Sequence, residues 1–232
     1  IIVKNRLKEE KRLKRLEERY DVKVNIVEFP FSDITSSFPI GNRYWTIETY
    51  YRLFAPVLLP KDIDRILYLD CDIIVDGDIS EMYFSEIKVI SAIVTTDFMS
   101  IQTGNPKRLG YDERHGYFNS GMMLINISYW REHDILQRSI NYIKENSEIL
   151  FLYDQDVLNY VLHDSKKFIG IEYNFFSLYI TKMTFDSIDE NMKRGVINCK
   201  PRIIHFIETK PWTIFSYKFP LTRVWEKYCK VS

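Results

Sequence analysis

The stretch RILYLDCDIIVDGDI, running from Arg65 to Ile79, decides how the rest of the chain is read. An apolar run closes abruptly on Asp70 and Asp72, and Asp76 and Asp78 follow before the chain has turned. RILYLD reads as a continuous apolar strand, the kind that is buried on both faces of a parallel sheet. In a strand, residues i and i+2 share a face, so Asp70 and Asp72 present their carboxylates together while Cys71 points back into the protein. Both acids stand at the carboxyl end of the strand, where open α/β sheets bind ligands. Two neighbouring carboxylates repel unless a cation lies between them. Hard oxygen ligands of this sort suit magnesium or manganese, which bridge to substrate phosphates. Asp76 and Asp78 read as a turn and a helix cap.

The bulk composition bounds the setting. At 232 residues and 27.9 kDa, with 46% hydrophobic residues, the chain fits one large domain with an ample core. Lysine plus arginine equals aspartate plus glutamate at 32 each, so no global field draws it to nucleic acid. Cys71, Cys199 and Cys229 are far apart and lack any C-x-x-C spacing, which argues against a structural zinc or a disulfide framework. Reduced thiols and a cytoplasmic setting follow. No stretch reaches the roughly 18 unbroken apolar residues of a membrane span. The first residues, IIVKNRLKEEKRLK, place apolar residues before charges, the reverse of a signal peptide.

Strand and helix signals alternate along the rest. Residues 4–19 hold eight basic and four acidic side chains with a thin leucine stripe, predicting a solvated amphipathic helix. VKVNIVEF (Val22–Phe29) alternates like a strand. TIETYYRLFAPVLL (Thr46–Leu59) predicts a helix capped by Thr46 that Pro56 kinks or ends. DISE (Asp78–Glu81) resembles a capping box. ISAIVTTD, GMMLINIS, KFIGIEYNFF and RIIHFI supply further strands, with a helix near Ser128–Ile143 and another opening at YDQDVLNYVL, its acids at the positive helix end. This alternation predicts an α/β domain with a mostly parallel central sheet flanked by helices.

Other residues carry chemistry. RIIHF ends a strand on His205, with Lys210, Pro211 and Trp212 close behind. A lone histidine there usually belongs to the core, but imidazole added to two carboxylates favours manganese over magnesium, and Lys210 could neutralise a phosphate on the same ion. Asn119 and Gly121 in FNSG suit hydroxyl recognition, though alone they read as a turn. Asp154, Gln155 and Asp156 alone read as an N-cap cluster, and Arg52 alone as a surface arginine.

Taken together and in order, TYYRL, RILYLDCDIIV, YFNSGMMLINISYWRE, YDQDVLNYVL and IIHFIETKPW resemble glycosyltransferase family eight, the retaining group of bacterial lipopolysaccharide galactosyl- and glucosyltransferases and glycogenin. The match spans Thr49 to Trp212. It implies a Rossmann-like GT-A fold and a UDP-hexose donor. It implies Asp70, Asp72 and His205 as ligands of Mn2+, with Mg2+ as substitute. Arg52 and Lys210 match positions near the donor's ribose and phosphates, and Cys71, Ser120 and Gly121 fall in the same donor-binding segments. Asp97, Asn119 and Asp154 match positions that hold the transferred sugar. Gln155 matches the residue beneath the anomeric carbon, and Gln155 and Asp154 are the catalytic candidates. Tyr44 falls in the region that meets the acceptor.

Two departures accompany the resemblance. The family ending H-F-x-G-x-x-K-P-W becomes HFIETKPW, one residue shorter from His205 to Lys210, with Glu208 where glycine is expected. Nothing matches the family's opening nucleotide-binding strand, so the chain reads as N-terminally truncated. The expected organisation is a catalytic domain over 1–212 and an aromatic, basic tail over 213–232 packed on it. The expected activity is metal-dependent, retaining transfer of glucose or galactose from a UDP-sugar to a saccharide or glycolipid acceptor, in lipopolysaccharide or other cell-surface polysaccharide synthesis. Same-face attack is the expected route, with Asp154 or Asp156 as a transient nucleophile the other. The alternatives are an inactive or sugar-nucleotide-binding relic of the fold and another metal-dependent nucleotide-using transferase. The tail carries a second reading as a peripheral contact with the inner face of the membrane.

Overall fold

The computed structural model describes residues 1–4, 10–41, 46–101, 104–208, 210–213 and 221–229. Two sheets position the site. The larger has the strand order β3-β6-β5-β7, formed by β3 (Arg65–Leu69), β6 (Phe118–Asn126), β5 (Ala92–Thr96) and β7 (Lys166–Ile169). The smaller has the order β4-β9-β8, formed by β4 (Ile73–Val75), β9 (Ile203–His205) and β8 (Phe175–Phe176). A two-stranded parallel ribbon joins β1 (Ile2–Val3) to β2 (Val27–Glu28).

The α/β class holds, but the expectation of a mostly parallel sheet needs correction. β6 runs antiparallel to both β3 and β5, and only β5 and β7 pair in parallel within the larger sheet. A continuous apolar run reports burial on two faces and says nothing of direction. The alternation shows this. Ala92, Val94, Met123 and Ile125 join the cluster around Tyr50, Leu53, Phe54 and Trp130, while Ile93, Met122 and Leu124 join Met82, Ile87 and Ile203 on the opposite face. β3 is an edge strand in which every residue keeps some exposure, so RILYL is less deeply buried than its composition suggests.

Local elements also depart from expectation. Of Val22–Phe29, only Val27–Glu28 pairs as a strand. Thr46 precedes a tight 3-10 turn, Ile47–Phe54, and makes no side-chain cap; Pro56 then sits in the first turn of a short α-helix, Ala55–Leu58, where its missing N–H costs nothing. The helix expected near Ser128–Ile143 is two, Ile127–Glu132 and Ile135–Asn146, broken at Asp134 with φ 50°. KFIGIEYNFF divides into β7, a 3-10 turn and β8. Asp78 receives the Ser80 amide and hydroxyl, a local turn just ahead of the helix Ser80–Tyr83. Asp76 does something different: its Oδ1 accepts from Lys227 Nζ at 2.8 Å and Tyr228 OH at 2.6 Å, tying the helix Thr222–Cys229 to the domain. No helix among the described residues is long and apolar enough to cross a membrane.

Candidate active site

The chain leaves the larger sheet at Leu69 and enters the smaller one at Ile73, so Asp70, Cys71 and Asp72 form the turn between the two. They are not strand residues, and Cys71 does not point back into the protein. It is exposed at the apex and lines a surface cleft with Phe206, Trp212, Trp225 and Cys229. The carboxylates nonetheless meet, because backbone bonds clamp both sides of the turn. Asp70 N–H donates to Gly121 O at 2.8 Å, and Phe206 N–H donates to Asp72 O at 2.9 Å.

The second clamp delivers His205. β4 and β9 pair antiparallel with Ile73 opposite His205, which places the imidazole beside Asp72. Its Nε2 lies 3.2 Å from Asp72 Oδ1 and 4.0 Å from Asp70 Oδ2. One ligand atom from each of Asp70, Asp72 and His205 falls within 4.8 Å of the others, so the three could hold a metal ion. Gly121 makes the space. A Cβ built there would come within 2.3 Å of His205 Cε1 and 2.8 Å of Asp70 Oδ2. Oxygen and imidazole donors brought this close together fit a hard or borderline divalent cation.

Lys210 reaches the same place despite the shortened spacing. Its Nζ donates to Asp72 Oδ2 and, at 2.9 Å, to Phe206 O. Burial alone would raise the Asp72 carboxyl, but it is lowered, and the Lys210 ammonium bonded to it favours the ionised form. Glu208, where the resembling pattern has glycine, takes φ 58°, the left-handed conformation that glycine adopts freely.

A buried arginine braces the other side. Arg52, carried on the turn Ile47–Phe54, donates to Asp70 Oδ1 at 2.9 Å and lies 3.1 Å from Asp154 Oδ2. It also bonds Ser120 O, Ser120 Oγ and Thr49 O, and its guanidinium lies over the Tyr68 ring at 4.4 Å. Burial works against its charge, but Asp154 and Asp70 prevail and keep it protonated. Asp154 has the opposite bias. Full burial raises its carboxyl to about 6, since Arg52 is shared with Asp70 and the neighbouring negative charge adds to the shift.

A short helix, Asp154–Val161, brings the remaining candidates. The chain enters it through Tyr153 at φ 46° and ψ −113°, a costly conformation for a side-chain-bearing residue. Gln155 Oε1 accepts from Ser120 N–H and from Asn119 Nδ2, while its Nε2 donates to Asp97 Oδ2 at 3.0 Å. Burial raises the Asp97 carboxyl, though bonds from Gln155 and Ser100 pull against it. Arg52, Asp70, Asp72, Asp97, Asn119, Ser120, Gly121, Asp154, Gln155, His205 and Lys210 thus form one contiguous constellation. Tyr44 lies outside the described residues.

Asp156 belongs elsewhere. It is fully buried and accepts from Arg108, Tyr117 and the backbone of Phe151 and Leu152. Three structural participants were not legible in the sequence: Asn159, whose amide bonds Phe118 N–H and O at 2.8 Å each and pins the helix to β6; Tyr68, which donates to Asp70; and Asn174, which meets His205. Asn and Tyr are too common in loops and strands for any of these to stand out.

A family model for glycosyl transferase family 8 matches residues 3–214. The chain belongs to glycosyl transferase family 8. Among relatives of this family 8 chain, the lipopolysaccharide 1,2-glucosyltransferase of Escherichia coli K12 is 32% identical over 173 residues, covering 73% of this chain and 50% of that protein. The lipopolysaccharide 1,3-galactosyltransferase of Salmonella typhimurium is 29% identical over 186 residues, covering 74% and 51%. The chain spans about half the length of such curated relatives. The structure of the galactosyltransferase LgtC in complex with donor and acceptor sugar analogs superposes with a TM-score of 0.76 at 24% identity, covering 89% of this chain and 74% of that one. The bifunctional glycosyltransferase WbbM gives 0.74 at 20% identity, covering 92% and 40%. The family 8 chain therefore has the GT-A glycosyltransferase fold, with the mixed sheets described above.

Proposed function

We propose that the chain is the catalytic part of a metal-dependent, retaining hexosyltransferase that moves glucose or galactose from a UDP-sugar to a saccharide acceptor in lipopolysaccharide or related cell-surface polysaccharide synthesis. The observation that carries this reading is the convergence of Asp70, Asp72 and His205 against Gly121, beside Asn119 and the buried Asp97, Asp154 and Gln155. The lipopolysaccharide glucosyl- and galactosyltransferases among its relatives support the substrate class. Manganese is the ion that two carboxylates and an imidazole favour. Bound there, it would supply Lewis acidity to the oxygens of a leaving diphosphate.

The chain's own residues divide the remaining work. Lys210 adds a positive charge at Asp72, where a departing diphosphate gathers negative charge. Arg52 fixes Asp70 relative to Asp154 and so couples the cation side of the site to the sugar side. Gln155 is immobilised at both ends of its amide, which suits a group that stabilises charge at the anomeric carbon without reorganising. Asp156, its lone pairs taken up by Arg108, Tyr117 and two backbone N–H groups, is withdrawn as a nucleophile. Same-face attack by the acceptor is the route these roles favour, and a glycosyl adduct trapped on Asp154 would refute it.

UDP release from UDP-glucose and UDP-galactose, with manganese and an acceptor saccharide, tests the reading beside Asp70→Asn. Release that depends on manganese and collapses in the variant is expected. Equal release by both proteins overturns the metal assignment. Failure of UDP to bind with or without manganese turns the reading toward a non-catalytic relic.

A further inference from the structure

Asn174 stands between the two halves of the site, on the residue before β8, and its side chain is buried. Its Oδ1 lies 3.0 Å from His205 Nδ1, and its Nδ2 donates to Asn119 Oδ1 at 2.9 Å. Side-chain amides can be turned over, so their donor sense must be established from partners that cannot. Two backbone groups do this. Gly121 N–H donates to Asn119 Oδ1 at 3.0 Å, and Ser120 N–H donates to Gln155 Oε1 at 3.1 Å. An amide nitrogen in either position would face a backbone N–H. Asn119 Oδ1 is therefore an acceptor, and the Asn174 group that meets it must be the NH2. That leaves Asn174 Oδ1 toward His205, and an oxygen without hydrogen requires Nδ1 to carry the proton.

The relay then runs in one direction: His205 donates to Asn174, Asn174 to Asn119, Asn119 to Gln155, and Gln155 to Asp97. Its source is a wide irregularity in β6. Val94 pairs with Met123 while Thr95 pairs with Asn119, so Ser120, Gly121 and Met122 are extra residues opposite a single step of β5. Such bulges turn backbone groups and side chains away from ladder geometry. Here the N–H groups of Ser120 and Gly121 become available to the two side-chain carbonyls.

We infer that Asn174 is a positioning residue, which holds His205 in the Nδ1–H tautomer and so presents an unprotonated Nε2 to the cation held with Asp70 and Asp72. Phe176 helps to hold the ring plane, with its own ring edge-on to the imidazole at 5.6 Å. With Nδ1 protonated, a neutral imidazole points a lone pair at Asp72 Oδ1 and Asp70 Oδ2. Only positive charge between them makes that arrangement favourable. The inference rests on the cation reading of the site, but the tautomer can be measured without any metal.

The test uses the full chain labelled with 15N on histidine, metal-free at pH 8, with His205→Gln to assign the signal. Long-range 1H–15N correlation is expected to show a proton on His205 Nδ1 in the metal-free chain. Titration with manganese chloride, followed by the EPR signal of free Mn2+, gives the affinity. Asn174→Ala is expected to scramble the tautomer and weaken manganese about 10- to 100-fold, the usual cost of losing a group that orients a metal ligand. Asn174→Asp, whose carboxylate still accepts from Nδ1 but no longer donates to Asn119, is expected to keep Nδ1 protonated and to bind manganese more tightly than Asn174→Ala. A wild-type His205 with no proton on Nδ1 overturns the inference even if no variant folds. So does Asn174→Ala that binds manganese within about threefold of wild type. If wild type shows the Nδ1–H form yet binds no manganese, the cation reading fails while the role of Asn174 in setting the tautomer stands.

Discussion

Gly121→Ala puts the tightest constraint of the site to a test. The added Cβ would lie 2.3 Å from His205 Cε1, 2.8 Å from Asp70 Oδ2 and 3.0 Å from Asn119 Oδ1. Non-bonded carbons settle at roughly 3.5–4.0 Å, so His205 or the bulge must yield by about 1.2 Å or more. The ring has little freedom to yield, being bonded to Asn174 and packed on Phe176. The backbone is clamped through Gly121 O by the Asp70 amide. Overpacking of this kind costs about 1–3 kcal/mol, and at this chain length each kcal/mol is worth roughly 2–4 °C of melting temperature. The loss should therefore be between about 2 and 12 °C. The cation suffers more, because metal sites tolerate ligand displacements of only about 0.2 Å. Manganese affinity should fall at least about 100-fold. Circular dichroism melts and a manganese titration read by EPR measure both quantities. If Gly121→Ala melts with wild type and binds manganese within about threefold of it, the close approach of His205, Asp70 and β6 is wrong.

Three further outcomes are expected. Glu208→Gly relieves a left-handed backbone at φ 58° and should raise stability by about 1 kcal/mol, an upward shift of roughly 2–4 °C in the melting curve; an unchanged or lower melting temperature contradicts it. Arg52→Ala leaves Asp70 and Asp154 without their shared partner and should cost about 3–5 kcal/mol in urea denaturation, whereas a loss below about 1 kcal/mol would mean the pair is not buried as described. Asp154 titrates at about 6 in the folded state against an ordinary 3.8, so between those values the native chain keeps a proton that the unfolded chain has released. Its contribution is thus largest below about pH 4 and declines as pH rises to 6, by up to about 3 kcal/mol. Asp154→Asn should flatten that stretch of the stability–pH curve, and an identical slope in the variant would refute the assignment.

Much of the site was open to reading from residue types and their order. Asp70 with Asp72, His205 with Lys210, and the FNSG and YDQD segments were ambiguous singly and resembled a known pattern only together and in order, and the structure gathers them. What the pattern misjudged was local and had physical causes. RILYLD looked like a strand carrying its acids on one face, yet the strand stops at Leu69 and the acids occupy a turn between two sheets. Two-residue spacing predicted the right neighbourhood by the wrong geometry, and Cys71 came out exposed. Asp76 looked like punctuation and instead anchors the C-terminal helix through Lys227 and Tyr228.

Sequence alone determined which chemical groups the chain can bring to a site and the order in which they come. A pair of hard carboxylates, a later imidazole with a lysine close behind, and apolar segments long enough to bury a sheet on both faces are properties of residue types, and they survive any folding geometry. Only the tertiary structure decided the direction of the strands, because apolar periodicity records burial and is blind to polarity along the chain. It alone placed Lys210 on Asp72 across 138 positions. It alone turned a bulge in β6 into the donor pair that orients Asn119, Gln155 and, through Asn174, His205. Hydrogen bonds between distant side chains depend on angles and separations of a few tenths of an ångström, and packing sets those.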